Sequence, residues 1–413
     1  MPDPTAGSAS SPNLLAIAGG QPVRTAPFPP WPVFADDEIA AAERVLRSGK
    51  VNYWTGQEGQ AFEKEFAAFI GARHAVALAN GTVALELALQ TLGIGPGDEV
   101  IVPCRTFIAS ASCAVMRGAH PVVVDVDPDS QNLTAATVEP AITKATKAIV
   151  AVHLAGWPCD MTQLLALAEA YGLKVVEDCA QALGARWAGR PVGSWGHVNA
   201  FSFCQDKIMT TLGEGGMLTT NDPTLWERAW QFKDHGKSYD AMFRRQHPPG
   251  FRWVHEEFGT NWRMLEVQSA QGRVALRKVP TWIEARRQAA ALLLEGLADL
   301  PGLRVPRPPD IAFHSYYKFY AFLELDRLRP DWTRDRIQEA IVAEGIPCFV
   351  GSCGDITREL AFRRRGWGPA YPLVHAPRLF ETSLMFLVHP STDPTAIEHT
   401  RDAIRKVMAA ATR

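Results

Sequence analysis

The sequence predicts an α/β fold: a mostly parallel sheet of about seven strands in a large unit, followed by a smaller C-terminal α/β unit. Three observations predict it. Between residues 74 and 220, short apolar runs alternate with longer stretches whose apolar residues recur at helical spacing. Most of the runs are continuously apolar rather than alternating in polarity, as strands buried on both faces must be. After the Pro-rich "LPGLRVPRPP" at 300–309, a new set of strand and helix candidates begins.

In chain order, the strand candidates are "HAVALAN", "DEVIVP", "HPVVVDV", "KAIVAVHL", "KVVEDCA", "VNAFSFC" and "GGMLTT". Between them lie "GTVALELALQTLG", "FIASASCAVMRG" and "CDMTQLLALAEAYG", each amphipathic and closed by a glycine, a helix-stop residue. Repeated β-α units wind a parallel sheet, and such sheets collect ligands at the carboxyl ends of their strands. The last two strands are joined by "QDKIMTTLGEGG", too short for a crossover helix, so that pair is expected to be antiparallel. Helices are expected over 223–234 and about 263–298. The second unit is expected to hold "SYYKFYAFLEL", a helix near 333–344, "GIPCFV" and a last helix over about 393–411.

Composition narrows the function. The chain has 413 residues, 47% hydrophobic and 21% charged, with a formal net charge of −2. That balance excludes the basic footprint of a nucleic-acid binder and points to a small-molecule partner. No run of ~18 apolar residues offers a membrane span. The opening "MPDPTAGSASSPN" reads as a flexible tail over 1–12 without the apolar stretch of a secretory signal. Seven cysteines show no CxxC pair and no zinc spacing, so no metal is expected, and reduced thiols in the cytoplasm are. Only Cys348 and Cys353 stand close together.

One lysine carries the chemical question. Lys207 follows an apolar run and precedes glycines at 213, 215 and 216. Phe201, Phe203, Ile208 and Met209 make its surroundings apolar, and a lysine so placed can form Schiff bases with carbonyl compounds. Alone, it reads more readily as a solvated loop residue. Asp178 ends the strand "KVVED", where a carboxylate could hold a proton on a pyridine nitrogen or simply cap a helix. Gly81 and Thr82 open a helix whose N–H groups could receive a phosphate, though the tripeptide alone reads as an ordinary N-cap, and Ser202 could add a hydroxyl or be a satisfied strand hydroxyl. Phe107 could stack on a flat ring or fill the core. Together these make an amine, an anion, an anion cradle and an aromatic at one sheet edge.

The blocks "NGTVALELAL", "VIVPCRTFIASA", "VVEDCAQALGA", "FSFCQDKIMTTLGEGGMLTT" and "GTNWRMLEVQSA", in this order, resemble the DegT/DnrJ/StrS family of pyridoxal-phosphate sugar aminotransferases. The resemblance runs from about residue 20 to the end and implies the fold type I of the aspartate-aminotransferase superfamily. With it come a large pyridoxal-phosphate-binding domain, set here at 13–285, and a small domain at 286–413. It implies Lys207 as the Schiff-base lysine, Asp178 as partner of the pyridine nitrogen, and Gly81, Thr82 and Ser202 as phosphate ligands. It further implies Phe107 as the stacking residue, Gln181 as a contact near the ring's phenolic oxygen, and Asn261 as a phosphate contact from the other subunit of a homodimer with shared sites. The connection after Lys207 carries one extra residue, Leu212, relative to the commonest family form. Relatives with histidine in place of this lysine act as dehydratases, so lysine here implies transamination.

For the substrate, "DHGKSYD" offers His235 and Lys237, and "FHSYYKF" offers His314, Tyr316 and Lys318, where a sugar-nucleotide diphosphate could be gripped or where ordinary surface polarity would put the same residues. "RRQHPPGFRW" suggests an ordered loop over 240–258 with no role assigned. The leading expectation is amino transfer from L-glutamate to a nucleotide-linked keto sugar in surface-polysaccharide or natural-product biosynthesis. The alternative substrates are free cyclitol ketones, since "AIAGGQPVR" also occurs in that branch; a non-catalytic cofactor-binding sensor is the alternative from another class.

Overall fold

The computed structural model describes residues 14–352 and 354–413. The tail at 1–12 and Cys353 lie outside the described residues.

Two helices, α1 (Asp36–Ser48) and α2 (Glu58–Ile70), precede the sheet. The repeat then follows the expected order: β1 (His74–Leu78), α3 (Gly81–Thr91), β2 (Glu99–Pro103), α4 (Ala109–Met116), β3 (His120–Val124), the short α5 (Ala135–Val138), β4 (Thr146–Val152), α6 (Met161–Tyr171) and β5 (Lys174–Asp178). A small hairpin, β6 (Arg186–Trp187) and β7 (Arg190–Pro191), intervenes before β8 (Val198–Ser202) and β9 (Gly216–Thr220). Capping marks the helix starts: Asn80 accepts from the Val83 N–H, and Asp160 from the Gln163 N–H.

The seven strands take the order β1-β9-β8-β5-β4-β2-β3. β2–β3, β2–β4, β4–β5 and β5–β8 are parallel, while β9 is antiparallel to both β8 and β1. The helix-free connection after Lys207 thus produces the antiparallel pair that the sequence predicts. It also sends β9 between β8 and β1. All other strands run one way, so their carboxyl ends share one edge.

The chain continues through α7 (Pro223–Lys233), α8 (Tyr239–Phe243) and the 32-residue α9 (Glu266–Leu297). The second unit holds β10 (Leu303–Arg304), β11 (Ala312–Phe313), β12 (Phe319–Leu323), α10 (Arg334–Ala343), β13 (Cys348–Phe349), α11 (Leu360–Arg363), α12 (His375–Thr382), β14 (Ser383–Phe386) and α13 (Pro394–Ala411). Its sheet, β10-β12-β14-β13, is antiparallel. β11 instead pairs with β6 and stitches the two units together.

The division expected at residue 286 falls inside α9. The first part of that helix packs Ala275 and Val279 with Phe62 and Phe66 of α2, and its end packs Ala290, Leu293 and Leu297 with the second sheet. Residues near the start, counted with the large unit in the sequence reading, pack with the second core: Leu15 joins it, and the Ala16 and Val23 N–H groups donate to Glu344. No described helix is long and apolar enough to cross a membrane.

Candidate active site

At the end of β1 the chain turns directly into α3, and this turn touches the end of β8. A Cβ on Gly81 would stand 2.5 Å from the Cβ of Ser202, and one on Gly216 would stand 2.3 Å from the Asn80 carbonyl oxygen. Only glycine allows three backbone segments to meet this closely. The free N–H groups of the first α3 turn, the positive end of the helix dipole and the Ser202 hydroxyl together form a cradle for an anion.

On the strand next to β8, Asp178 closes β5 and is 5% exposed. Its Oδ1 accepts from the Ala180 N–H at 3.1 Å and its Oδ2 from the Ser110 hydroxyl at 2.8 Å. Ser110 is itself paired with the Thr106 hydroxyl at 2.8 Å. Strand alternation turns the preceding Glu177 the other way, where the N–H groups of Gly193, Trp195 and Gly196 and the Nε2 of His153 surround its carboxylate. His153 Nδ1 accepts from the Cys159 N–H, so Nε2 carries the proton and donates to Glu177. His153, Glu177 and Cys179 lie within metal-binding distance of one another, but both imidazole nitrogens are already engaged. The pair ties the β6–β7 hairpin to the strand that carries Asp178. Sequence reasoning missed it; the Glu-Asp pair ending a buried strand is the signal that was available.

Lys207 is half-buried on the β8–β9 connection, and its sequence neighbours Phe201, Phe203, Ile208 and Met209 are buried. Its carbonyl accepts from Trp31 Nε1 at 2.9 Å, fixing the backbone. Its Nζ has no hydrogen-bond partner among the described residues and stands 5.0 Å from the centre of the Tyr317 ring. The Tyr317 hydroxyl donates to Asp206, whose other near cation, Lys318, is 3.8 Å away. Burial opposes the Asp206 charge, but Lys207, the Tyr317 hydroxyl and Lys318 hold its carboxyl below the usual range. Burial lowers Lys318 to about 8 despite Asp206. The extra residue Leu212 adopts a left-handed φ of 61° and is 42% exposed, so the added length bulges outward.

Phe107 is 65% exposed at the end of β2, where a ring can be covered but the core is not filled. Gln181 is half-buried, and its Oε1 accepts from the Ala155 N–H at 2.8 Å, leaving the amide N–H groups to donate elsewhere. Asn261 is carried beside the end of β1, where residues 262 and 263 join the edge strand. Arg263 bridges Leu78, the Trp262 carbonyl accepts from the Ala79 N–H at 2.9 Å, and Asn261 itself bridges Asp234. The physical reason is that β1 is the terminal strand, whose open edge recruits any extended segment nearby. The Asn261 residue remains exposed.

The expected substrate residues divide. His235 is exposed, with a φ of 59°. Lys237 is engaged: its Nζ bonds Asp234 at 3.1 Å and lies over the Trp54 ring. Asp234 also accepts from Arg263 and Trp54, so Lys237 serves a structural hub. In the 240–258 loop Arg245 bridges Asp240 and Glu256, while Phe251 and Trp253 stay exposed. His314 and Tyr316 are buried rather than on an exposed strand face, with rings stacked 3.8 Å apart in a small pocket behind Leu154 and Ala155. His314 Nδ1 accepts from the Tyr316 N–H. Burial, with Arg287 adding to it, lowers His314 to about 3, so it is neutral and offers no cationic grip.

This shift has a sign that can be checked. An unfolded chain protonates His314 near its ordinary pKa of 6.5, while the folded chain does not until about 3. Stability from this residue is therefore complete above pH 6.5 and lost as pH falls through that window, by about 2 kcal/mol at pH ~5. Denaturant unfolding at pH ~7 and ~5 should show a smaller acid penalty, by about that amount, in His314→Gln than in the parent; equal penalties would contradict it.

These elements compose a cradle, a held carboxylate and an unpaired amine along one edge. Comparison with known proteins matches the chain to a family. The family model described as the DegT/DnrJ/EryC1/StrS aminotransferase family matches residues 32–405. The chain is 45% identical over 267 residues, 65% of its length and 67% of the relative's, to a dTDP-3-amino-3,4,6-trideoxy-alpha-D-glucose transaminase of Streptomyces venezuelae. It is 39% identical over 375 residues, 89% of its length and 84% of the relative's, to an L-glutamine:2-deoxy-scyllo-inosose aminotransferase of Streptoalloteichus tenebrarius. Its fold superposes on the X-ray structure of an aminotransferase from Psychrobacter cryohalolentis with a TM-score of 0.92 and 51% identity, covering 93% of this chain and 99% of that one. The chain belongs to the DegT/DnrJ/EryC1/StrS aminotransferase family.

Proposed function

We propose that the protein transfers an amino group from an amino acid, L-glutamate by preference, to the keto carbon of a sugar carried on a nucleotide diphosphate. That it is an aminotransferase dependent on pyridoxal 5′-phosphate follows from its family. The observation that carries the site assignment is Lys207: a half-buried amine without a hydrogen-bond partner among the described residues, on the edge that also holds Asp178 and the Gly81–Ser202 cradle.

The residues present fit the cofactor, since the cradle is a space that a Cβ on Gly81 would fill. When bound, pyridoxal phosphate supplies a carbonyl that amines attack and a ring that spreads negative charge from the reacting carbon. Gly81, Thr82 and Ser202 would hold its phosphate, Phe107 would cover the ring, and Gln181 would donate to the ring oxygen. Asp178, oriented by Ser110 and the Ala180 N–H, would keep the ring nitrogen protonated. Lys207 Nζ would carry the proton lost by the donor's amino-bearing carbon. The rings of Phe201 and Phe203, packed on Phe62 and Phe66, anchor the strand that leads to Lys207.

Free cyclitol ketones are the second reading, favoured by the 89% of this chain that aligns with the scyllo-inosose aminotransferase. Amine-loaded enzyme offered a panel of nucleotide-linked keto sugars and cyclitol ketones decides between them. The proposal expects the visible band of the lysine-bound cofactor to return with a nucleotide sugar; return with cyclitol ketones only would replace the first reading by the second.

The active unit in this account is a homodimer in which Asn261 reaches the phosphate of the neighbouring site, and six described cysteines that are free thiols support a reducing, cytoplasmic setting. Mixing inactive Lys207→Ala chains with inactive Asn261→Asp chains should restore part of the activity, because one site of each hybrid dimer carries neither lesion. No recovery after verified subunit exchange would assign Asn261 to its own chain.

A further inference from the structure

The turn after α7 buries a carboxylate whose contacts gather around one exposed amide. Asp234 is fully buried. Its Oδ1 accepts from Arg263 Nη1 at 2.8 Å, from Lys237 Nζ at 3.1 Å and from Trp54 Nε1 at 3.3 Å. The side chains of Arg263 and Lys237 are themselves largely buried. Such a cluster is a poor source of net stability, because taking the charges out of water costs about as much as their attraction returns. What it can fix is geometry.

The geometry it fixes is that of residues 260–263, which run between two other backbones. On one side the Thr260 N–H donates to the Phe232 carbonyl at 2.8 Å, the Thr260 carbonyl accepts from the His235 N–H at 2.9 Å, and the Trp262 N–H donates to the Lys233 carbonyl at 3.2 Å. On the other, the Trp262 carbonyl accepts from the Ala79 N–H, just before the Gly81 turn. A Cβ on Gly236 would overlap the Glu257 carbonyl oxygen, and one on Gly259 the Gly236 nitrogen, so glycine is what lets these segments close. Asn261 bridges Asp234 across this ladder, and strand alternation puts Arg263 on the same face as Asn261. Asp234 therefore grips the segment through Arg263, while Asn261 is exposed and its side chain makes no hydrogen bond among the described residues.

We propose that Asp234 is a positioning residue: through Arg263 it holds the Asn261 amide aimed at the cofactor phosphate of the neighbouring site. The inference rests on the reading that gives Asn261 to that phosphate, and adds the group that keeps the amide ready, so that little ordering is left to pay for on binding.

The test compares pyridoxal phosphate with pyridoxal, which lacks the phosphate, for binding to the full-length chain freed of cofactor, read from the visible band formed with the lysine. Asn261→Ala should weaken pyridoxal phosphate at least ~10-fold, the scale of one hydrogen bond to a charged group, and leave pyridoxal within ~2-fold. Asp234→Ala should do the same, and the double variant should lose no more than Asn261→Ala alone, because both act on one bond. Asp234→Asn keeps an acceptor for Arg263 and gives up only the charge, so it guards against misfolding of the alanine variant; it should shift the ratio of the two affinities the same way by at least ~3-fold. Equal weakening of both ligands in the Asp234 variants would make Asp234 a structural residue and overturn the inference, as would losses that add in the double variant. An unchanged ratio in Asn261→Ala would remove the phosphate contact itself and the inference with it. That failure is distinct from an Asn261 effect that the Asp234 variants do not share, which overturns the inference alone.

Discussion

Lys207→Ala should lose turnover by ~10⁴-fold or more while the fold survives, because one residue supplies both the nucleophile and the proton carrier. The structural loss is small. Lys207 Nζ makes no hydrogen bond among the described residues, and its ring contact with Tyr317, at 5.0 Å, contributes about 0.5–1 kcal/mol. The backbone bond from Trp31 to the Lys207 carbonyl does not depend on the side chain. Steady-state rates together with thermal melting check both halves. A variant that retains most of its activity would remove Lys207 from the chemistry, and one that unfolds would make it a structural residue.

Asp178→Asn should keep the fold and much of the cofactor but slow turnover by about 10²–10³-fold, the scale of removing one oriented electrostatic group. The amide can reproduce the local bonds. Its oxygen can accept from the Ala180 N–H, and its NH₂ can donate to the Ser110 oxygen once that hydroxyl turns toward another acceptor. What it cannot supply is the negative charge that favours a protonated pyridine nitrogen. Single-turnover rates with L-glutamate measure the loss; near-normal rates would mean that the ring nitrogen is paired elsewhere.

The parts of this fold that were legible in the sequence are those governed by local pattern. Continuous apolar runs such as "KVVEDCA" become β5 because strands buried on both faces admit no polar alternation. The reversal at β9 was legible because twelve residues without a helical pattern cannot carry a parallel crossover. The meeting of Gly81 with Ser202 was legible only through the family resemblance that groups them, since the turn alone reads as an ordinary N-cap.

What escaped depends on pairing across long separations. Helices α1 and α2 lie before the first strand of the repeat, and their apolar faces gain meaning only against α9, more than two hundred residues later. The position of Asn261 follows from the open edge of β1, which exists only once the sheet order is known. The burial of His314 follows from residues 154–156 packing against 314–316: a Cβ on Gly156 would lie 2.6 Å from the Ser315 hydroxyl. The burial of Arg286 did leave a signal, since it stands at helical spacing among the apolar Val279, Ile283, Ala290, Leu293 and Leu297, but that stripe names no partner for it.

Borohydride reduction of the holoenzyme, followed by peptide mapping, tests the central claim most directly, because it fixes the cofactor to whichever amine holds it. The account predicts the label on Lys207, in the peptide spanning the β8–β9 connection. A label on Lys147, Lys237 or Lys318 in its place would contradict it.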